Sequence, residues 1–158
     1  MKYSICTLVT NWDEYALMKA TFLKTGFKED DCEYLTIDNT NGNVMDAFSG
    51  NNWFLANAKG EYVILCHQDV RIIYDSRKFL EIRLNKLDQI DPNWGLVGNA
   101  GGISLNNVAR RISDPCGFDS QAGAPFPVKV MSLDGNFILV KRSANLGFSR
   151  DLSGFHFY

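Results

Sequence analysis

Gly60-Glu61-Tyr62-Val63-Ile64-Leu65-Cys66-His67-Gln68-Asp69-Val70 carries an apolar run, Tyr62 to Cys66, that stops on a cluster of polar groups ending in a carboxylate. A run of this length opened by a glycine suits a strand buried on both faces of a parallel sheet. Ligands of open α/β sheets sit outside the carboxyl ends of such strands. His67 and Asp69 lie two apart, so in extended backbone both point to the same side. An imidazole and a hard oxygen ligand then face the crevice where a substrate binds.

Around this stretch the chain reads as alternating strands and helices. Tyr3 to Val9 is a first strand rich in β-branched and aromatic residues. Asn11 is a good N-cap, with Glu14 three residues on as in a capping box; Tyr15, Met18 and Phe22 recur at helical spacing, and Gly26 supplies the stop. Cys32 to Ile37 is a second strand, ending in the turn-forming Asp38-Asn39-Thr40-Asn41-Gly42-Asn43. A short helix is expected at about Gly50 to Ala58, with Phe54, Leu55 and Ala58 inward. Beyond Cys66, Asp75-Ser76 caps a helix to about Asp88 with Leu80, Leu84 and Leu87 on one face. Trp94 to Gly98 is a further strand, Ser104 to Pro127 reads as a long surface loop, and Val128–Met131 and Phe137–Lys141 read as two more strands. The pattern predicts an α/β sandwich, a mostly parallel central sheet flanked by helices, in one domain spanning 1–158.

Composition narrows the function classes. At 46% hydrophobic and 22% charged residues, the chain resembles an ordinary soluble globular protein. No segment approaches the roughly 18 consecutive apolar residues of a membrane span, and the N-terminus lacks a signal-peptide cleavage region, which predicts a cytoplasmic protein. A net charge of -2 gives no electrostatic reason to expect nucleic-acid binding. Cys6, Cys32, Cys66 and Cys116 are scattered with no C-x-x-C pair, so reduced thiols are expected, three of them inside strands, and a zinc site is not.

Three early strands thus end at Thr10-Asn11, at Asp38-Asn39 and at His67-Gln68-Asp69. Singly, Asn11 is a helix cap, Asp38-Asn39 a turn, Asp69 a solvated carboxylate and His67 a histidine near the core. One sheet edge collecting all of them makes a candidate site.

The order of these motifs resembles the nucleotide-sugar-binding half of a GT-A fold glycosyltransferase of the family-two-like kind. Asn52, Leu55, Ala58 and Gly60 match that family's N-x-G-L-x-x-A-x-G pattern, with Phe54 in place of the first glycine, and His67-Gln68-Asp69 stands where the family has D-x-D. The resemblance implies that Thr10, Asn11, Asp38, Asn39, Asn52, His67, Gln68 and Asp69 contact the nucleotide sugar. It further implies Mn²⁺ or Mg²⁺ on Asp69, assisted by His67 where the family has its first aspartate. Asp134-Gly135-Asn136-Phe137 resembles the acceptor-side loop, which makes Asp134 a catalytic candidate. Leu146-Gly147-Phe148-Ser149 resembles a G-x-F-D segment, and His156 falls about where the acidic base lies; an unperturbed imidazole, pKa about 6.5, suits a general base near neutral pH. The chain stops two residues later, short of the helices that usually complete the family's acceptor site.

The implied activity is transfer of a sugar from a nucleotide-sugar donor, a UDP-sugar in the commonest case, to a glycan or lipid-linked saccharide acceptor in polysaccharide biosynthesis. Two other readings stay open: a nucleotide-sugar-binding module without catalysis, given the altered D-x-D, and another nucleotide-using enzyme such as a nucleotidyltransferase. The second is disfavoured because the chain has no G-x-x-x-x-G-K-[ST] phosphate loop.

Overall fold

A computed structural model of the chain describes residues 1–113, 119–123 and 125–154. In chain order these form β1 (Tyr3–Val9), α1 (Trp12–Lys24), β2 (Cys32–Asp38), α2 (Ala47–Asn57), β3 (Tyr62–Cys66), α3 (Arg77–Ile90), β4 (Leu96–Gly98), β5 (Ala100–Ser104), β6 (Asn107–Ser113), β7 (Asp119–Ala122), β8 (Ser132–Leu133), β9 (Phe137–Lys141) and a 3-10 turn at Arg142–Ala144.

The helices start where short polar side chains can hold the first free amides. Asn11 Oδ1 accepts from the Asp13 and Glu14 amides at the head of α1. The expected reciprocal box does not close, because Glu14 gives its carboxylate to Arg71 instead. Helix α2 begins three residues before the expected Gly50, capped by Asp46, whose carboxylate accepts from the Ser49 amide. Ser76 Oγ caps α3 through the Phe79 amide.

The main sheet has five strands in the order β2-β1-β3-β9-β4. β1 pairs in parallel with β2 and β3, whereas β9 lies antiparallel between β3 and β4. The sheet is therefore mixed: four strands run one way and β9 runs against them. Helices α1 and α3 cover one face, where Tyr15, Met18, Phe22 and Leu84 pack on Tyr3, Ile5 and Ile64. Helix α2 covers the other, setting Phe54 and Ala58 against Cys6, Val63 and Leu65. The three described cysteines are free and buried, as expected; Cys116 lies outside the described residues. Burial pushes the thiols of Cys6 and Cys66 well above the ordinary range, so both act as apolar groups.

Part of the expected loop, Ser104 to Pro127, instead carries β6 and β7, which join β5 and β8 in a second, four-stranded sheet in the order β7-β6-β5-β8. Its strands escape a hydrophobicity reading because only Ala109 of β6 is buried. The strand expected at Val128–Met131 is displaced to β8, Ser132–Leu133. β5 pairs antiparallel with β8 directly beyond the point where β4 pairs with β9, and the Asp134 amide donates to the Ala100 carbonyl between the two pairings. The second sheet is thus built on a ribbon that rises from the carboxyl edge of the first.

Arg77, at the head of α3, ties this face together: its guanidinium forks onto both carboxylate oxygens of Asp31 and stacks over the Tyr3 ring with its centre 5.2 Å from the ring centroid. The Arg77 hydrogen bond holds the Asp31 carboxyl below its usual range. A depressed folded-state pKa contributes stability above the unfolded value, near 3.9, that is lost as pH falls through the folded one. Wild type is therefore expected to exceed Asp31→Asn in stability at pH 7, with the gap closing below about pH 4. Urea unfolding at pH 7 and pH 3 measures it, and a gap independent of pH would show that the pair contributes no such linkage.

Candidate functional site

Because β1 and β3 are parallel neighbours, their carboxyl ends bring Thr10 and His67-Gln68-Asp69 together. The junction is tied by Gln68, whose Oε1 accepts from the Thr10 and Asn11 amides at 2.8 and 2.9 Å and whose Nε2 donates to Thr10 Oγ1 at 2.7 Å. The backbone then turns, with the Val70 amide donating to the His67 carbonyl at 3.3 Å. His67 and Asp69 therefore sit on a turn and not on the extended backbone expected from the sequence. Arg71 braces the turn, donating to the Gln68 and Val70 carbonyls while its other nitrogen pairs with Glu14 of α1. On the far side the His67 amide donates to the Asn136 carbonyl at 3.0 Å, joining the turn to the Asp134-Gly135-Asn136 bend before β9.

Beside this turn lies a cavity of about 230 Å³. Cys6, Leu8, Leu65 and Ile138 contribute apolar lining, and Thr10, Asn51, His67, Gln68 and Asp69 contribute polar groups. His67 and Asp69 are exposed, and among the described residues neither side chain has a hydrogen-bond or ion-pair partner. A larger recess, about 620 Å³, opens at the opposite edge of the sheet between Lys59, Glu61, Lys141 and Arg142. It gathers none of the candidate residues.

The remaining candidates divide into scaffold and open groups. Asp38 ends β2 next to Val9 and does not line the cavity. Its Oδ1 accepts from the Thr40 hydroxyl at 2.6 Å and the Thr40 amide at 2.9 Å, and these bonds hold its carboxyl below the usual range. Asn39 is buried and bonded at both ends of its amide, donating to the Met45 carbonyl and accepting from the Val44 and Met45 amides, so it shapes the loop after β2. Asn52 pairs at two points with the backbone of Phe148, donating to its carbonyl at 3.1 Å and accepting from its amide at 2.9 Å. Asp134 is exposed, with one oxygen accepting from the Asn136 amide at 2.9 Å. His156 lies outside the described residues. Gly154, two positions earlier, is held at the head of α2, where its carbonyl accepts from Ala47, a residue of the cavity wall.

One residue of the site was missed in the sequence. Asn51 lines the cavity and has no hydrogen-bond partner among the described residues. The motif pointed to its neighbour Asn52; a step of one residue on a helix turns the side chain by about 100°.

To a divalent cation the turn offers two side chains, Asp69 and His67. Among the described residues no three His, Cys, Asp or Glu side chains cluster to form a metal site. Asp69 and His67 are nevertheless open, and Mg²⁺ or Mn²⁺ commonly takes one or two protein groups and completes its shell with phosphate and water.

No family model matches the chain. A protein of Fuscovulum blasticum described as "ATP synthase subunits region ORF 6", a name that gives no activity, is 35% identical over 164 residues, covering 100% of this chain and 66% of its own. Among solved structures, S. aureus TarS residues 1–349, a glycosyltransferase, superposes with a TM-score of 0.57 at 15% identity, covering 98% of this chain and 52% of that one. The chain thus spans only part of each relative's length. No described helix is long and apolar enough to cross a membrane. The superposition on TarS supports a glycosyltransferase-like α/β fold.

Proposed function

We propose that the chain is the nucleotide-sugar-binding and catalytic domain of a GT-A type glycosyltransferase, moving a sugar from a UDP-sugar to a glycan or lipid-linked saccharide on the cytoplasmic side. The observation that carries this reading is the braced turn at the end of β3, which holds unpartnered Asp69 and His67 on the wall of a cavity within a glycosyltransferase-like fold.

Each group has a role in that reaction. Asp69, with His67, would hold Mn²⁺ or Mg²⁺, and such an ion when bound supplies Lewis-acid stabilisation of the departing diphosphate. Asp38, with Thr10 and Asn11 beside it, meets the nucleoside. Gln68, Asn39 and Asn52 act through the backbone they hold, keeping the strand ends and α2 in register around the donor. Asp134 orients the acceptor at the bend beside His67, and His156 takes the proton from the acceptor hydroxyl as neutral imidazole.

The test is thermal unfolding with a panel of nucleotides and UDP-sugars, with and without Mn²⁺, followed by assay of sugar transfer. UDP-sugars are expected to raise the melting temperature and to turn over. Binding without turnover would favour a binding module, and no response to any nucleotide would reject the reading. Asp38→Ala is expected to weaken UDP binding even without metal, by about tenfold, the scale of one charge-assisted hydrogen bond. Unchanged metal-free affinity would leave Asp38 as a turn residue only.

A further inference from the structure

Asn51 is 9% exposed, yet among the described residues its carboxamide meets no hydrogen-bond partner. Its open side is the cavity wall that it shares with Ala47, one helical turn earlier. The adjacent stripe of α2 is committed elsewhere: Phe48 packs edge-on against Phe148 and Asn52 pairs with the Phe148 backbone. The amide is not sealed from water. Among the described residues the buried side-chain atoms left without a partner are Tyr3 Oη, Asn99 Oδ1 and Asn136 Oδ1. The Asn51 carboxamide thus keeps its hydrogen-bonding capacity open to the cavity, between the apolar Leu8, Leu65 and Ile138 and the polar Thr10 and His67. A donor and an acceptor that bond nothing in the folded chain are free for what enters the cavity.

We infer that Asn51 is a specificity-determining contact, its carboxamide hydrogen-bonding one neutral ring of the donor inside this cavity. The inference rests on the glycosyltransferase reading. The space of about 230 Å³ falls below the roughly 300–1,000 Å³ of pockets that enclose a whole drug-sized ligand, so it takes a single ring while the rest lies along the open edge. A carboxamide offers donor and acceptor in one plane. Its complement is a ring presenting adjacent acceptor and donor, which a nucleobase and a hydroxylated sugar both supply.

The experiment compares wild type, Asn51→Leu and Asn51→Ala by thermal unfolding without ligand and by calorimetric titration with UMP and with UDP-glucose. Without ligand, Asn51→Leu is expected to melt within about 2 °C of wild type, since the amide bonds nothing in the folded chain. Affinity is expected to fall about tenfold in both variants; agreement of the alanine variant excludes simple blockage by leucine. Equal losses for UMP and UDP-glucose place the nucleobase in the cavity, and a loss for UDP-glucose alone places the sugar there. Unchanged affinity in both variants would overturn the inference while leaving the glycosyltransferase reading standing. A fall beyond that range for Asn51→Leu without ligand would make Asn51 a structural residue and overturn it too. A wild type that binds neither ligand would overturn both.

Discussion

Asp69→Asn is expected to leave the fold intact and to remove the cation-dependent part of nucleotide binding. The side chain is exposed and has no partner among the described residues, so nothing in the folded chain is lost with its charge. A cation held by one carboxylate and one imidazole depends on that carboxylate for its only protein charge. We expect UDP affinity in Mn²⁺ to fall at least tenfold and sugar transfer about a hundredfold, the latter equivalent to about 2.7 kcal/mol. Affinity without metal should stay unchanged, which separates this residue from Asp38. Wild-type affinity of the variant in Mn²⁺ would remove Asp69 from the metal site.

Gly60→Ala should produce a large loss of stability from a single methyl group. A Cβ at Gly60 would stand 2.5 Å from the Ser4 nitrogen and 2.6 Å from the Tyr3 carbonyl carbon, both backbone atoms of β1. β1 cannot retreat, since it is paired on both sides and Tyr3 and Ser4 are wholly buried. The Gly60 amide also donates to Ser4 Oγ at 2.8 Å, a bond that the displacement would break. Overpacking of this kind costs about 3 kcal/mol, a fall in melting temperature of about 6–12 °C for a chain of this size. A urea-derived change under 0.5 kcal/mol would show that the turn before β3 yields more readily than its contacts imply.

Legibility in the sequence followed burial. β1 and β3 stand out as apolar runs because nearly every one of their side chains is inside, and α1 and α3 show their spacing because each has a single core face. The second sheet has no such signature. Val108, Arg110 and Ile112 of β6 are not buried, so the usual alternation has little to record. Within the site, the strand ends were readable as polar groups after apolar runs. The hydrogen bonds of the amides were not: Gln68 and Asn52 meet backbone groups far along the chain and Asn39 those five and six residues on, and spacing in the sequence shows neither. Asn51 carries the same letter as Asn52 and differs only in helical phase.

The ribbon that leaves the main sheet at Gly98 rejoins it opposite, since Gly98 pairs with Ile138, and the Asp134 amide closes its base on Ala100. Everything between is an excursion whose two ends are already side by side. Lengthening a segment with fixed, adjacent ends adds little closure entropy, about 0.6 kcal/mol per doubling. β4 and β9 therefore need not register how long the excursion is or what it carries. The part of the ribbon beyond the β5–β8 pairing could change in length while the five-stranded sheet kept its order.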